Sequence, residues 1–171
     1  MVSPKTRAAT SRAPVPALDA ALRFLSVRAR TEKEIRTALE RKGYPPEDRD
    51  AAVSRLQDLR YLDDTRFAAD RATTLLTERG MGPEGAVARL ARHGLSEADA
   101  RRAVTAAAET LGLTPLESAK RVLERGGYLG RTLDVRERAR AERLLLGRGF
   151  DYEDVSAVLG APALSSPGNE D

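Results

Sequence analysis

The sequence predicts an all-α chain built from three stacked three-helix repeats, and three observations predict it. Of the 171 residues, 25 are Arg, 28 Ala and 22 Leu, whereas Ile occurs once and Val ten times. Helix formers therefore dominate, and β-branched strand formers are scarce. Apolar residues recur at helical spacing along most of the chain. A glycine-centred segment then returns three times, around Gly43, Gly94 and Gly149.

Residues 1–16, MVSPKTRAATSRAPVP, are rich in Ser, Thr, Pro and basic residues and are expected to form a disordered basic tail. Leu18, Ala21, Leu22 and Leu25 mark a first helix, Ile35, Ala38 and Leu39 a second, and Ala52, Val53, Leu56 and Leu59 a third. Thr31 and Glu34 have capping-box spacing, as do Thr114 and Glu117, with Pro115 suited to the first helical position. Gly80–Met81–Gly82 ends one helix, and Pro83 opens the next.

The repeat is read from LERKGYPPEDRDAAV, LARHGLSEADARRAV and LLGRGFDYEDVSAVL. Each glycine follows a Leu by four positions (Leu39, Leu90, Leu145) and precedes an apolar residue (Tyr44, Leu95, Phe150). Those are the positions that touch when a left-handed glycine ends a helix. Asp48, Asp99 and Asp154 follow five residues later, where a carboxylate faces the unpaired N–H groups of the next helix. Ser96 and Asp151 fit the cap position before them; Pro45 does not, although Pro46 suits the first helical position. Apolar pairs then begin or continue the buried stripe: Ala52/Val53, Ala103/Val104 and Val158/Leu159. The expected units are 17–62, 63–112 and 113–160, the last with a longer middle segment, followed by a disordered tail over 161–171. Each is too small to bury a large core alone, so neighbours should stack.

Several function classes are disfavoured. With no Cys there are no disulfides, Cys-zinc sites or thiol nucleophiles, and a cytoplasmic location is expected. No stretch has the roughly 20 apolar residues of a membrane span. The lone His93, placed beside a capping glycine, lacks a paired nucleophile and orienting acid, so no enzyme, catalytic residue or cofactor is expected. Asp63 and Asp64 form the most metal-like pair, but TRFAADR supplies no further ligands, so helix capping is the better reading and no metal is expected. Gly80–Met81–Gly82 lacks the lysine of a phosphate loop.

Charge is distributed unevenly. Residues 23–42 carry net +4 and 120–148 net +5, against −3 over 43–64 and −5 over 151–171. Stacked units would align the basic second helices into one arginine-rich edge. Part of this charge is expected in local pairs such as Glu32 with Arg36 and Glu137 with Arg140. The remainder suits DNA phosphates or an acidic protein. Three Phe and four Tyr leave few stacking platforms for single-stranded DNA.

The run ALRFLSVRARTEKEIRTALERKGY, then YLDDTRFA, ERGMGPEGAVARLARHGL and LLLGRGFDYEDVSAVL, resembles the bacterial RecX regulatory proteins over about residues 17–160. The resemblance implies an elongated, curved array of three tandem three-helix repeats. It also implies a monomeric regulator that lodges along the groove of the RecA recombinase filament and restrains ATP hydrolysis, strand exchange and coprotease function. DNA phosphates are a second candidate partner. The candidate contacts on the concave edge are Arg28, Arg30, Arg36, Arg79, Arg89, Arg92 and Arg140; Arg28 and Arg79 each lie fifteen residues before a repeat glycine. The rival class is a helix-turn-helix protein reading naked DNA, which would need a base-reading recognition helix and usually a dimer.

Overall fold

The computed structural model describes residues 16–160; the two expected tails, apart from Pro16, lie outside them. Among the described residues there are nine helices and no strand: α1 Ala17–Val27, α2 Glu32–Arg41, α3 Pro46–Asp58, α4 Asp64–Thr77, α5 Pro83–Ala91, α6 Glu97–Leu111, α7 Pro115–Arg125, α8 Val135–Gly147 and α9 Tyr152–Leu159. They form three bundles in tandem, each with its own apolar core. Ile35, Leu39, Val53 and Leu56 fill the first with Ala21 and Leu62. Leu75, Leu90 and Val104 fill the second with Ala72, Ala86 and Ala100. Val122, Leu123, Leu145 and Val155 fill the third with Ala119, Ala141 and Phe150. Alanines at the helix crossings let the backbones approach, and one leucine from each middle helix (Leu39, Leu90, Leu145) is wholly buried.

The glycine-centred segments all turn at a left-handed glycine, and two of them share the same fold-back bond. Gly43, Gly94 and Gly149 have φ of 82°, 94° and 82°, the left-handed region that a side chain disfavours. Tyr44 N–H donates to Leu39 O and Phe150 N–H to Leu145 O, each at 3.2 Å, so the turn folds back over the buried leucine. Asp48, Asp99 and Asp154 all stand in the first turn of the following helix. Ser96 and Asp151 are the side-chain caps of α6 and α9, whereas Pro45 caps α3 without a side-chain bond.

The middle helices α2, α5 and α8 are linked head to tail. The start of α2 rests on the glycine-capped end of α5, and the start of α5 rests on the glycine-capped end of α8. Helix ends of opposite partial charge meet at both seams, a favourable arrangement that local repeats alone do not impose.

Candidate functional site

At the first seam, α2 begins with a capping box. Thr31 Oγ1 accepts the Glu34 N–H at 3.3 Å, and Glu34 Oε2 accepts the Thr31 N–H at 3.4 Å. The Thr31 hydroxyl, completely buried, also donates to His93 O at 2.5 Å, satisfying a carbonyl at the end of α5. The N–H of Glu32 donates to Asp64 Oδ1 at 2.8 Å. Asp63 caps its own helix α4 through the Arg66 N–H, at 2.9 Å, while its neighbour Asp64 caps α2 in the other bundle. Burial raises the Asp64 carboxyl above its ordinary value, opposed by the bond from Glu32 N–H and reinforced by nearby carboxylates.

Glu34 is the polar centre of this seam. Arg28 donates to both of its oxygens, each bond 2.9 Å, and His93 Nδ1 lies 3.0 Å from Oε1. Burial pushes the Glu34 carboxyl up, but hydrogen bonds from Arg28 and His93 outweigh it and hold the group down at about 2. His93 thus turns away from its own helix end toward α2, its ring edge-on to Phe67 at 5.4 Å. Lys33 lies over Gly94, where an added Cβ would stand 2.4 Å from its Cδ.

These contacts shape a cleft of about 340 Å³ between the two bundles, walled by Arg28, Arg30, Lys33, Arg41 and Arg92 with Glu34 the only carboxylate. Arg28 is neutralised by Glu34, and Arg30 lies 5.5 Å over the Phe24 ring while donating to Phe24 O at 3.3 Å. Lys33, Arg41 and Arg92 have no ion pair among the described residues. The cleft therefore presents net positive charge to an anionic partner. A larger groove of about 620 Å³ runs between α4 and α6, but it is floored by alanines. Its three acids are already engaged, Asp64 by Glu32 N–H, Asp99 by Arg102 and, more loosely, Asp70 by Arg66 at 3.9 Å.

The second seam is made by backbone. Gly82 N–H donates to Arg148 O at 2.9 Å and Gly85 N–H to Gly149 O at 3.3 Å. A Cβ on Gly85 would fall 2.2 Å from Arg148 O, and one on Gly82 2.4 Å from Gly149 O, so the approach requires glycine at both. Arg148 reaches back to donate to Arg79 O at 2.6 Å. The Gly82 N–H thus serves the seam, and the Met81 N–H closes the end of α4 on Leu75 O at 3.0 Å, so neither is free for a phosphate.

The seven arginines singled out from the sequence divide. Arg28, Arg30 and Arg92 share the cleft. Arg36 lies outside it, paired with Glu32 at 2.7 Å and with Asp50. Arg79, Arg89 and Arg140 are exposed, away from the cleft, and without an ion pair among the described residues. Glu137 does not pair with Arg140; Arg131 takes both its oxygens, at 2.8 and 3.0 Å, because its fork reaches the capping-box glutamate from the preceding loop. Lys33 and Arg41, which lie at i and i+8 on one helical face, also line the cleft, although the sequence singled out neither as a contact. That spacing was the available signal. Among the described residues no group of His, Asp and Glu could hold a metal ion, and no helix is long and apolar enough to cross a membrane.

Comparison with known proteins agrees with this architecture. Residues 17–56 match the family model described as RecX, first three-helix domain. A regulatory protein RecX of Enterococcus faecalis is 33% identical over 143 residues, covering 83% of this chain and 53% of that protein, so the chain spans about half of that relative's length. A regulatory protein RecX of Cronobacter sakazakii is 32% identical over 153 residues, covering 82% of this chain and 88% of that one. The crystal structure of RecX from Lactobacillus salivarius superposes with a TM-score of 0.67 at 21% identity, over 84% of this chain and 92% of that one, a likeness of fold. The match to the first three-helix domain and the sequence identity to these relatives show that the chain belongs to the RecX family.

Proposed function

We propose that the chain is a cytoplasmic, non-enzymatic regulator that lies along the groove of the RecA–DNA filament and restrains its ATPase, strand-exchange and coprotease activities. The observation that carries this reading is the cleft at the first seam, where Arg30, Lys33, Arg41 and Arg92 converge from two bundles. It exists only because units are stacked, and it offers positive charge to acidic side chains or phosphates on an extended partner. The bundles spanning residues 17–62, 63–112 and 113–160 act as successive contact modules. Modest contacts from each then add through effective concentration, favouring an assembled filament over a free subunit.

The test is a titration into a DNA-dependent recombinase ATPase assay, repeated on preassembled filaments at two salt concentrations. Inhibition below one chain per recombinase, weakened by salt, is the expected result. Undiminished ATPase at equimolar protein contradicts the proposal, and equal activity loss from naked-DNA competition assigns the binding to DNA alone.

A further inference from the structure

The turn between α3 and α4 is the one place where the described backbone holds a side chain in the left-handed region: Arg60 has φ of 57°, and every other described residue at positive φ is a glycine. The second bundle ends its third helix with the same turn. Arg60 N–H donates to Gln57 O and Tyr61 N–H to Leu56 O, just as Gly112 N–H donates to Glu109 O and Leu113 N–H to Ala108 O, with Gly112 at φ of 59°. Glycine takes this conformation without the steric cost that a Cβ brings, so Arg60 strains a turn that its counterpart leaves relaxed. Backbone strain of this kind clusters at sites of function.

No bond among the described residues offsets the strain. Neither the Arg60 guanidinium nor the Tyr61 hydroxyl has a hydrogen bond or ion pair there, and both residues are exposed. Tyr61 is 63% exposed, and Leu59 also stands out to solvent. Val27, 78% exposed, lies at the same end of the bundle, since α1 and α3 both finish beside the start of α2: four residues join α1 to α2, and Gln57 of α3 donates to Glu32 at 3.0 Å. The patch is internal to the chain, and the length of α1, about 16 Å, separates it from Pro16. It is also apart from the cleft. The α3 helix meets α2 through Glu32 and Arg36, by way of Gln57 and Asp50, whereas Lys33, Thr37 and Arg41 of α2 face the cleft.

The chemistry of this patch fits a protein. Tyr and Arg are the side chains that most often anchor protein interfaces, and Leu59 and Val27 suit an apolar pocket beside them. A polyanion fits poorly, because Arg60 stands in the sequence among Asp58, Asp63 and Asp64, three carboxylates against one guanidinium. We propose, on the filament reading above, that Leu59, Arg60 and Tyr61 form a second docking point for the recombinase protein, with Tyr61 and Leu59 entering an apolar pocket of a subunit and Arg60 meeting a carboxylate at its rim. The first seam then touches the filament on two sides of α2, through the basic cleft and through this turn.

Cosedimentation with preassembled RecA–DNA filaments tests it. Tyr61→Ala, which removes an exposed ring and no bond within the fold, should weaken binding roughly tenfold and leave its salt dependence unchanged, unlike loss of the cleft arginines. Arg60→Gly should raise the thermal unfolding midpoint by about 2–4 °C, because the turn relaxes, and still weaken filament binding severalfold. A purely structural arginine would not trade binding for stability in this way. Either variant binding as tightly as the wild type overturns the proposal and leaves the cleft reading standing, whereas a wild type that does not bind filaments overturns both. An equal loss by Tyr61→Ala on naked single-stranded DNA assigns the ring to base stacking and overturns the protein docking point.

Discussion

Glu34 and His93 face each other across the first seam, Nδ1 to Oε1 at 3.0 Å, and so tie the capping box of one bundle to the helix end of the next. A carboxylate that would serve only its own helix thereby becomes a link between units.

That link carries a pH signature. Glu34 sits at about 2 in the folded chain, below its ordinary 4.5, so the stability it contributes is complete above roughly pH 5 and disappears as pH falls toward 2. Asp64 has the opposite sign: burial raises its folded value, so its ionisation as pH rises costs stability. Urea unfolding from pH 6 to pH 2.5 should show a steep acid loss for the wild type and a shallower one for Glu34→Gln.

Thr31 serves both its helix and the seam, whereas Thr114 caps α7 with the same box and no neighbour. Thr114→Ala should cost about 1 kcal/mol, the usual loss for a cap. Thr31→Ala should cost about 2–3 kcal/mol, because it also leaves the half-buried His93 carbonyl without its seam bond. Chemical denaturation of the two variants measures the difference, and equal losses would contradict the assignment of a seam bond to Thr31.

Glycine-to-alanine changes in two helices should have opposite signs. Gly147 in α8 has nothing within 4 Å of a new Cβ, so Gly147→Ala should stabilise by about 0.5–1 kcal/mol. A Cβ on Gly85 in α5 would fall 2.2 Å from Arg148 O, so Gly85→Ala should destabilise by about 1–3 kcal/mol despite better helix propensity. Thermal unfolding reads both.

Much of the fold was legible because its signals are local. The capping boxes, the Gly80–Gly82 break and the three left-handed glycines are each fixed by residues a few positions apart, and the structure has them as read. The seams were not legible. Asp64 caps a helix that begins 32 residues earlier, and its own neighbourhood fits an ordinary local cap equally well. Counting back from the repeat glycine paired Arg28 with Arg79, yet the structural counterpart of Arg28 is Arg131. The long segment between α7 and α8 shifts the count in the third bundle, while the six-residue spacing from arginine to capping glutamate survives it. The cleft was half legible for the same reason: a basic stripe on α2 is a local pattern, but its meeting with Arg92 is set by the seam.

For the regulatory reading, Arg41 and Arg92 are the informative pair, because neither has an ion pair among the described residues and their loss leaves the seam bonds intact. The Arg41→Ala, Arg92→Ala double variant should unfold like the wild type yet inhibit recombinase ATPase with a midpoint shifted severalfold upward, while Arg36→Ala, outside the cleft, should shift it little.

The most direct measurement is cosedimentation of the full chain with preassembled RecA–DNA filaments across a salt series, wild type beside the double variant. Saturation below one chain per recombinase, with weaker binding and a flatter salt dependence for the variant, is the predicted result. Saturation only at equimolar chain, or identical curves for the two proteins, would contradict a filament-spanning regulator that binds through the seam cleft.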